Sequence, residues 1–138
     1  MTELAKSGYS MKTKLQSYLF MVCLGVGIPV WAHHSFSAVF DVNSPIELIG
    51  AVTEIDWRNP HAWIYIDVEN GSEKAVNWAV ELGSVNGLIR RGWSRSTVRI
   101  GDVISVSGYR AKDGSTRGNV SSIKLADGRE MSGSSSRD

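Results

Sequence analysis

The sequence predicts an all-β domain with one short helix. Five segments alternate apolar and polar residues with a period of two, which is typical of half-buried strands. One segment, between the third and fourth of these, has the spacing of an amphipathic helix instead. The first segment is long and shifts its phase beside a glycine. The predicted element order is therefore β-β-β-α-β-β.

The first strand is predicted to begin at Ile46 and to bend near Gly50. Its apolar residues alternate through "IELIGAV", and Ile55 and Trp57 then continue the alternation one residue out of step. A phase shift beside a glycine indicates a β-bulge or a bend.

The second and third strands are predicted over residues 62–68 and 76–82, joined by a turn at Asn70-Gly71. Trp78, like Trp57 before it, falls in the inward phase, so both are expected to pack in the core. Trp63 and Tyr65 share the opposite face, where they either form a second small core or stack on a planar ligand.

A short helix follows the third strand. Ser84 is a suitable N-cap, Val85, Leu88 and Ile89 lie on one helical face, and Gly92 suits the C′ position. The remaining strands are predicted in "VRIGDVISVSGYRA" and "VSSIKLADG", with a hairpin loop between them.

Five strands with a helix between the third and fourth, and a long bent first strand, describe a five-stranded OB-fold-like barrel. A small open sandwich is the alternative. The barrel is predicted over residues 46–130, after an N-terminal arm (33–45) and before a disordered tail (131–138).

Residues 1–32 are predicted to be a signal peptide. Lys12 and Lys14 precede an apolar run that ends at Ala32, where cleavage is expected. The run is shorter than a spanning helix needs, so no transmembrane anchor is predicted in the mature form. Met11 begins a more conventional signal peptide than Met1, so residues 1–10 are either an upstream start or a mis-assigned one. These features predict an exported protein, either periplasmic or secreted.

Cleavage would lower Lys+Arg from 15 to 12 and Asp+Glu from 14 to 13, which leaves a net charge of −1. The only cysteine, Cys23, would leave with the signal peptide. A nearly neutral chain without a basic stripe gives no reason to expect nucleic acid. The nucleophile, phosphate-loop and zinc-protease motifs of common enzymes are also absent from the sequence, so an enzyme is not supported.

The three histidines are the candidate metal ligands. Cleavage after Ala32 would give His33 a free α-amine beside its imidazole, with His34 next to it. Nitrogen-only ligation of this kind favours copper, Cu(II). The alternative is that the pair simply follows the leader in a solvated arm.

His61 follows Asn59-Pro60 in the loop between the first two strands, which in an OB barrel borders the ligand-binding face. It is either the third metal ligand, a polar contact beside an aromatic platform, or a residue that hydrogen-bonds its own turn. Its approach to His33 depends on the fold.

The leading hypothesis is an exported, non-catalytic binding protein that holds copper through His33, His34 and His61. The alternative is a metal-free module that binds a peptide, glycan or envelope protein through Trp63, Tyr65 and Asn59. A redox or oxygen-activating copper enzyme ranks below both.

The blocks "HHSFSAVFD", "NPHAWIYIDV" and "NWAVELGSVNGLIRRGW" give the chain a family resemblance. From about His33 to Gly128 it resembles the exported bacterial proteins grouped as domain of unknown function 6152. The resemblance implies a secreted single-domain protein whose pattern includes the His-His-Ser-Phe start and the Asn-Pro-His-Ala-Trp turn. It supplies no activity.

Overall fold

Strands make up most of the fold. The computed structural model describes residues 36–71 and 74–134. In chain order the elements are α1 (Phe36–Val39), β1 (Phe40–Asp56), β2 (Trp63–Val68), β3 (Val76–Glu81), α2 (Val85–Arg90), β4 (Val103–Ala111), β5 (Arg117–Lys124) and β6 (Glu130–Ser132). The all-β class and the helix between the third and fourth strands are confirmed. Within the described residues, no helix has the length and apolar character needed to cross a membrane.

The described strands belong to one sheet. Its order is β3-β2-β1-β4-β5-β6 with antiparallel neighbours, and β3 also pairs in parallel with β5. Strand β1 is 17 residues long because it serves two partners, β2 through its second half and β4 along most of its length. The β1–β2 register shifts between Val52 and Glu54, which confirms the predicted bulge.

The core is formed by the inward residues of the strands together with α2. Ile66, Val80 and Leu88 are completely shielded from solvent. Trp57 and Trp78 pack against this core, as their phase predicts. The buried cluster is built from Val52, Ala62, Ile64, Ile66, Val80, Leu82, Leu88, Trp93, Val98, Ile104, Val106, Val120, Ile123 and Leu125.

Helix α2 has the ends that the sequence predicts. The Ser84 hydroxyl accepts a hydrogen bond from the Gly87 N–H, and Gly92 has a φ of +88° after the last turn. Ile89 is exposed, although the predicted helical face includes it together with Leu88. A helix of barely two turns offers one narrow buried stripe, which Leu88 occupies.

The ends of the domain carry more regular structure than predicted. The expected N-terminal arm includes α1 and the start of β1, because Phe40 is buried and pairs with Ala111. The expected tail begins with strand residues, since Met131 and Ser132 pair with β5. The structure therefore has a sixth strand where five were predicted. The predicted signal peptide, His33 and His34 lie outside the described residues.

Candidate functional site

His61 lies in the β1–β2 loop, against the end of β3. The loop is held there by two backbone hydrogen bonds, from the Ala62 N–H to the Gly83 carbonyl and from the Leu82 N–H to the Ala62 carbonyl. The Nδ1 atom of His61 lies 2.5 Å from Oε1 of Glu81. The His61 side chain is 44% exposed, whereas that of Glu81 is 9% exposed. An accessible imidazole is therefore held by a carboxylate that is nearly buried.

Two neighbours, His61 and Arg117, influence the ionisation of Glu81. Burial raises its pKa above the ordinary value, while His61 and the positive charge of Arg117 act in the opposite direction. Burial is the largest of these effects. His61 and Arg117 therefore offset part of the cost of burying the Glu81 carboxylate.

Trp63 and Arg117 complete the site. Trp63 is the β2 partner of Glu81, and directly opposite residues project to the same face of a sheet. The Arg117 guanidinium lies over the Trp63 ring, 5.3 Å from its centroid. A cation at this distance is attracted by the π-face of the indole. We call His61, Trp63, Glu81 and Arg117 the outer-face cluster.

The other residues predicted to bind ligand lie around this cluster but do not join it. The Asn59 side-chain oxygen accepts a hydrogen bond from the Val85 N–H at 3.0 Å, so it satisfies a backbone donor at the start of α2. Tyr65 lies on the same face as Trp63, opposite Ala79 on β3, and is partly exposed. The hydrogen bond to Val85 therefore gives Asn59 a structural role that is an alternative to the predicted ligand contact.

A groove of about 500 Å³ lies next to the cluster. Its aromatic wall is formed by Phe36, whose ring meets that of Tyr109 edge-on with centroids 5.6 Å apart. Tyr109 pairs with Asn119 on β5, and Asn119 pairs in turn with Glu81 on β3. One row of paired residues thus connects the groove to the outer-face cluster. The lining is formed by Phe36, Val42, Arg91, Tyr109, Asn119, Ser121, Ser132 and Ser134.

Among the described residues, no group of three or more His, Cys, Asp or Glu side chains is arranged to hold a metal ion. His61 and Glu81 form a pair, and any third protein ligand would come from elsewhere. Of the three predicted copper ligands, only His61 lies in the described part of the chain.

Neither Glu81 nor Arg117 was predicted from the sequence to belong to a functional site. Glu81 could have been found by counting the hairpin register, since pairing of Val68 with Val76 places Glu81 opposite Trp63. Arg117 had no such signal, because it reaches Trp63 through the parallel β3–β5 pairing, which joins strands that are distant in sequence.

Fold and site together define a small β-sheet protein with a histidine–carboxylate–aromatic cluster on its outer face and a groove beside it. The chain belongs to the Family of unknown function (DUF6152), whose model matches residues 21–121. This confirms the resemblance seen in the sequence. The match includes His33, His34 and the whole outer-face cluster, and it ends before β6. No curated protein matches the chain.

Proposed function

We propose that this chain is an exported, non-catalytic binding protein of the bacterial envelope, built on a five-stranded OB-fold-like barrel. The strand pairings support the barrel. β1 pairs with β2, β2 with β3, β3 with β5, β5 with β4, and β4 with β1 again. This circuit, with one parallel step, is the order expected of that barrel. Export is supported by the leader pattern in residues 1–32.

The protein is proposed to bind a copper ion through His61 together with His33 and His34. The observation that carries this proposal is the contact between His61 Nδ1 and the Glu81 carboxylate. A histidine that binds metal usually donates its other ring N–H to a carboxylate, which fixes the tautomer and raises the basicity of the coordinating nitrogen. With Nδ1 engaged, Nε2 is the remaining acceptor on a ring that solvent reaches.

The mature N-terminus would supply the remaining nitrogen ligands. If cleavage follows Ala32, His33 offers an amine and an imidazole, and His34 offers a second imidazole. Such an all-nitrogen set favours Cu(II) over the other divalent first-row ions. The proposed N-terminal ligands include no carboxylate and no thiolate.

Calorimetric titration of the periplasm-processed protein with Cu(II) tests this function. We expect micromolar or tighter binding, a large loss in both His33→Ala and His61→Ala, and a loss of about 10-fold in Glu81→Gln, in line with the usual effect of removing an orienting partner. The matched control carries one extra residue before His33, which keeps every histidine but moves the amine. Millimolar binding, or unchanged affinity in His33→Ala, would refute the copper proposal.

A metal-free interaction module is the second candidate. It is favoured by the partial exposure of Trp63 and Tyr65 on the same face of β2. Arg117 already covers one side of Trp63, which leaves less of that ring for a partner. Tryptophan fluorescence during titration with a soluble muropeptide, which carries both glycan and peptide, tests this candidate. A response that is lost in Trp63→Ala and kept in His61→Ala would support it, and no response in the unaltered protein would reject it.

A further inference from the structure

We infer that the groove beside the outer-face cluster binds a small anionic sugar, a hexuronic acid whose carboxylate pairs with Arg91 and whose ring packs against Phe36 and Tyr109. This site goes beyond the proposed copper function, which uses the three histidines. Three features of the groove support it: the strand irregularities that form it, the charge of its lining and its aromatic wall.

The groove lies where two strand pairings slip. The β1–β4 register shifts between Phe40 and Pro45, and Val42 falls within that shift. The β4–β5 register passes over Ser121, which is therefore the extra residue of a bulge. Val42 and Ser121 both line the groove. Bulges re-aim side chains and are frequent beside functional sites. The groove is therefore built into the pairing of β1, β4 and β5.

The charge of the lining favours an anion. Of the described residues that line the groove, Arg91 is the only charged one. Its Nη1 atom donates to the Ser134 carbonyl at 2.6 Å, and this bond uses one of the five N–H donors of a guanidinium. Glu81 lies on the next strand, where His61 and Arg117 offset its negative charge. A carboxylate matches the planar donor fork of an arginine and can accept two parallel hydrogen bonds from it.

The rest of the lining suits a sugar ring. The Phe36 and Tyr109 rings meet edge-on with centroids 5.6 Å apart, which gives an apolar wall for the C–H face of a pyranose. Ser121, Ser132 and the buried Asn119 bring hydroxyl and amide groups to the lining. Such groups both donate and accept hydrogen bonds, as sugar hydroxyls do. A volume of about 500 Å³ suits a monosaccharide or a disaccharide.

Nuclear magnetic resonance titration of the purified protein with sodium glucuronate, at constant ionic strength, tests the inference. We expect saturable shifts of the Tyr109, Asn119 and Ser121 signals, with a Kd of about 1 mM or tighter. Glucose lacks the carboxylate and acetate lacks the ring. Each is therefore expected to bind about 10-fold more weakly, or worse, because it loses one of the two sets of contacts.

Two pairs of variants locate the site. Arg91→Gln should weaken glucuronate binding about 10-fold or more and leave weak glucose binding unchanged. Arg90→Gln is its matched control, because Arg90 is the neighbouring exposed arginine and is not part of the lining. Ser121→Leu should fill the groove at an exposed position and abolish binding, whereas Lys124→Leu, exposed on the same strand outside the groove, should retain it. A urea midpoint for each variant checks that it is folded.

Four results would overturn the inference. They are the absence of saturable shifts at about 10 mM glucuronate, shifts centred on the outer-face cluster, an affinity for acetate equal to that for glucuronate, and tighter binding of glucose 6-phosphate. Equal acetate binding would indicate an adventitious ion only, and the last result would assign the groove to phosphate. If Arg91→Gln does not fold, the comparison of Ser121→Leu with Lys124→Leu decides. Copper affinity should be the same in Ser121→Leu, so the copper function and the sugar site stand or fall separately.

Discussion

Replacing Asn59 separates its two possible roles, as a ligand contact and as a support for α2. In the structure, its side-chain oxygen accepts the Val85 N–H at 3.0 Å, one residue after the Ser84 N-cap. The first N–H groups of a helix have no partner inside the helix, so a side-chain acceptor there stabilises the fold. Asn59→Ala removes that acceptor and leaves the outer-face cluster untouched.

The expected cost is about 1 kcal/mol. Loss of a side-chain acceptor at a helix start costs roughly 0.5–2 kcal/mol, and the exposure of Asn59 places it in the lower half of that range because water can replace the lost acceptor. For a domain of this size, a loss of about 1 kcal/mol lowers the Tm by about 4–8 °C. Asn59→Asp keeps an oxygen acceptor near the positive end of the helix, so most of the stability should return.

Urea unfolding is the suitable assay, with fluorescence as the signal because the Trp93 indole N–H donates to the Ser132 carbonyl in the folded state. We expect a lower midpoint for Asn59→Ala, a recovered midpoint for Asn59→Asp, and unchanged Cu(II) affinity in both. An unchanged midpoint together with a tenfold weaker affinity for Cu(II) or a muropeptide would refute the reasoning and return Asn59 to the binding site.

Three further variants test the packing and electrostatics. Ile66→Ala empties a fully buried position and should lower the free energy of unfolding by about 2–5 kcal/mol, whereas a cost below about 1 kcal/mol would contradict the described core. Gly108→Ala would drive a Cβ into the Asn119 carbonyl oxygen, so we expect a large loss of Tm and of soluble yield, and near-normal stability would contradict the β4–β5 spacing. The pKa of Glu81 in the folded protein is raised above its ordinary value of 4.5. Protonation of Glu81 therefore adds to the free energy of unfolding below pH 4.5, and this contribution is lost as the pH rises through the raised pKa. Unfolding at a series of pH values should therefore show this decline in the unaltered protein and a flatter profile in Glu81→Gln, and identical profiles would contradict the shift.

The strands with one buried face could be predicted because their alternation records which side faces the core. The bulge in β1 followed from the same logic, since an extra residue in a strand moves every later side chain to the opposite face. The ends of the domain show no such alternation of apolar and polar residues. In β6, Glu130 and Ser132 are exposed, so the three-residue strand is specified by its pairing with β5 and not by a pattern of its own.

The candidate site was predictable only in part, because some of its residues are brought together by strand pairing and not by a local sequence pattern. His61 and Trp63 stood out as rare residue types at a turn. Their partners, Glu81 and Arg117, are common residues whose importance comes from the strand pairing that brings them together. A carboxylate on a strand is usually solvated, and nothing local distinguishes the one that the register places beside a histidine.

The groove has a practical consequence for engineering. Phe36 and Ser134, the two ends of the described chain, both line it. A chain cut back to residues 36–134 could therefore be circularly permuted by joining those two positions and opening the hairpin tip at Gly114. A permuted chain would allow the groove to be studied with no terminus nearby.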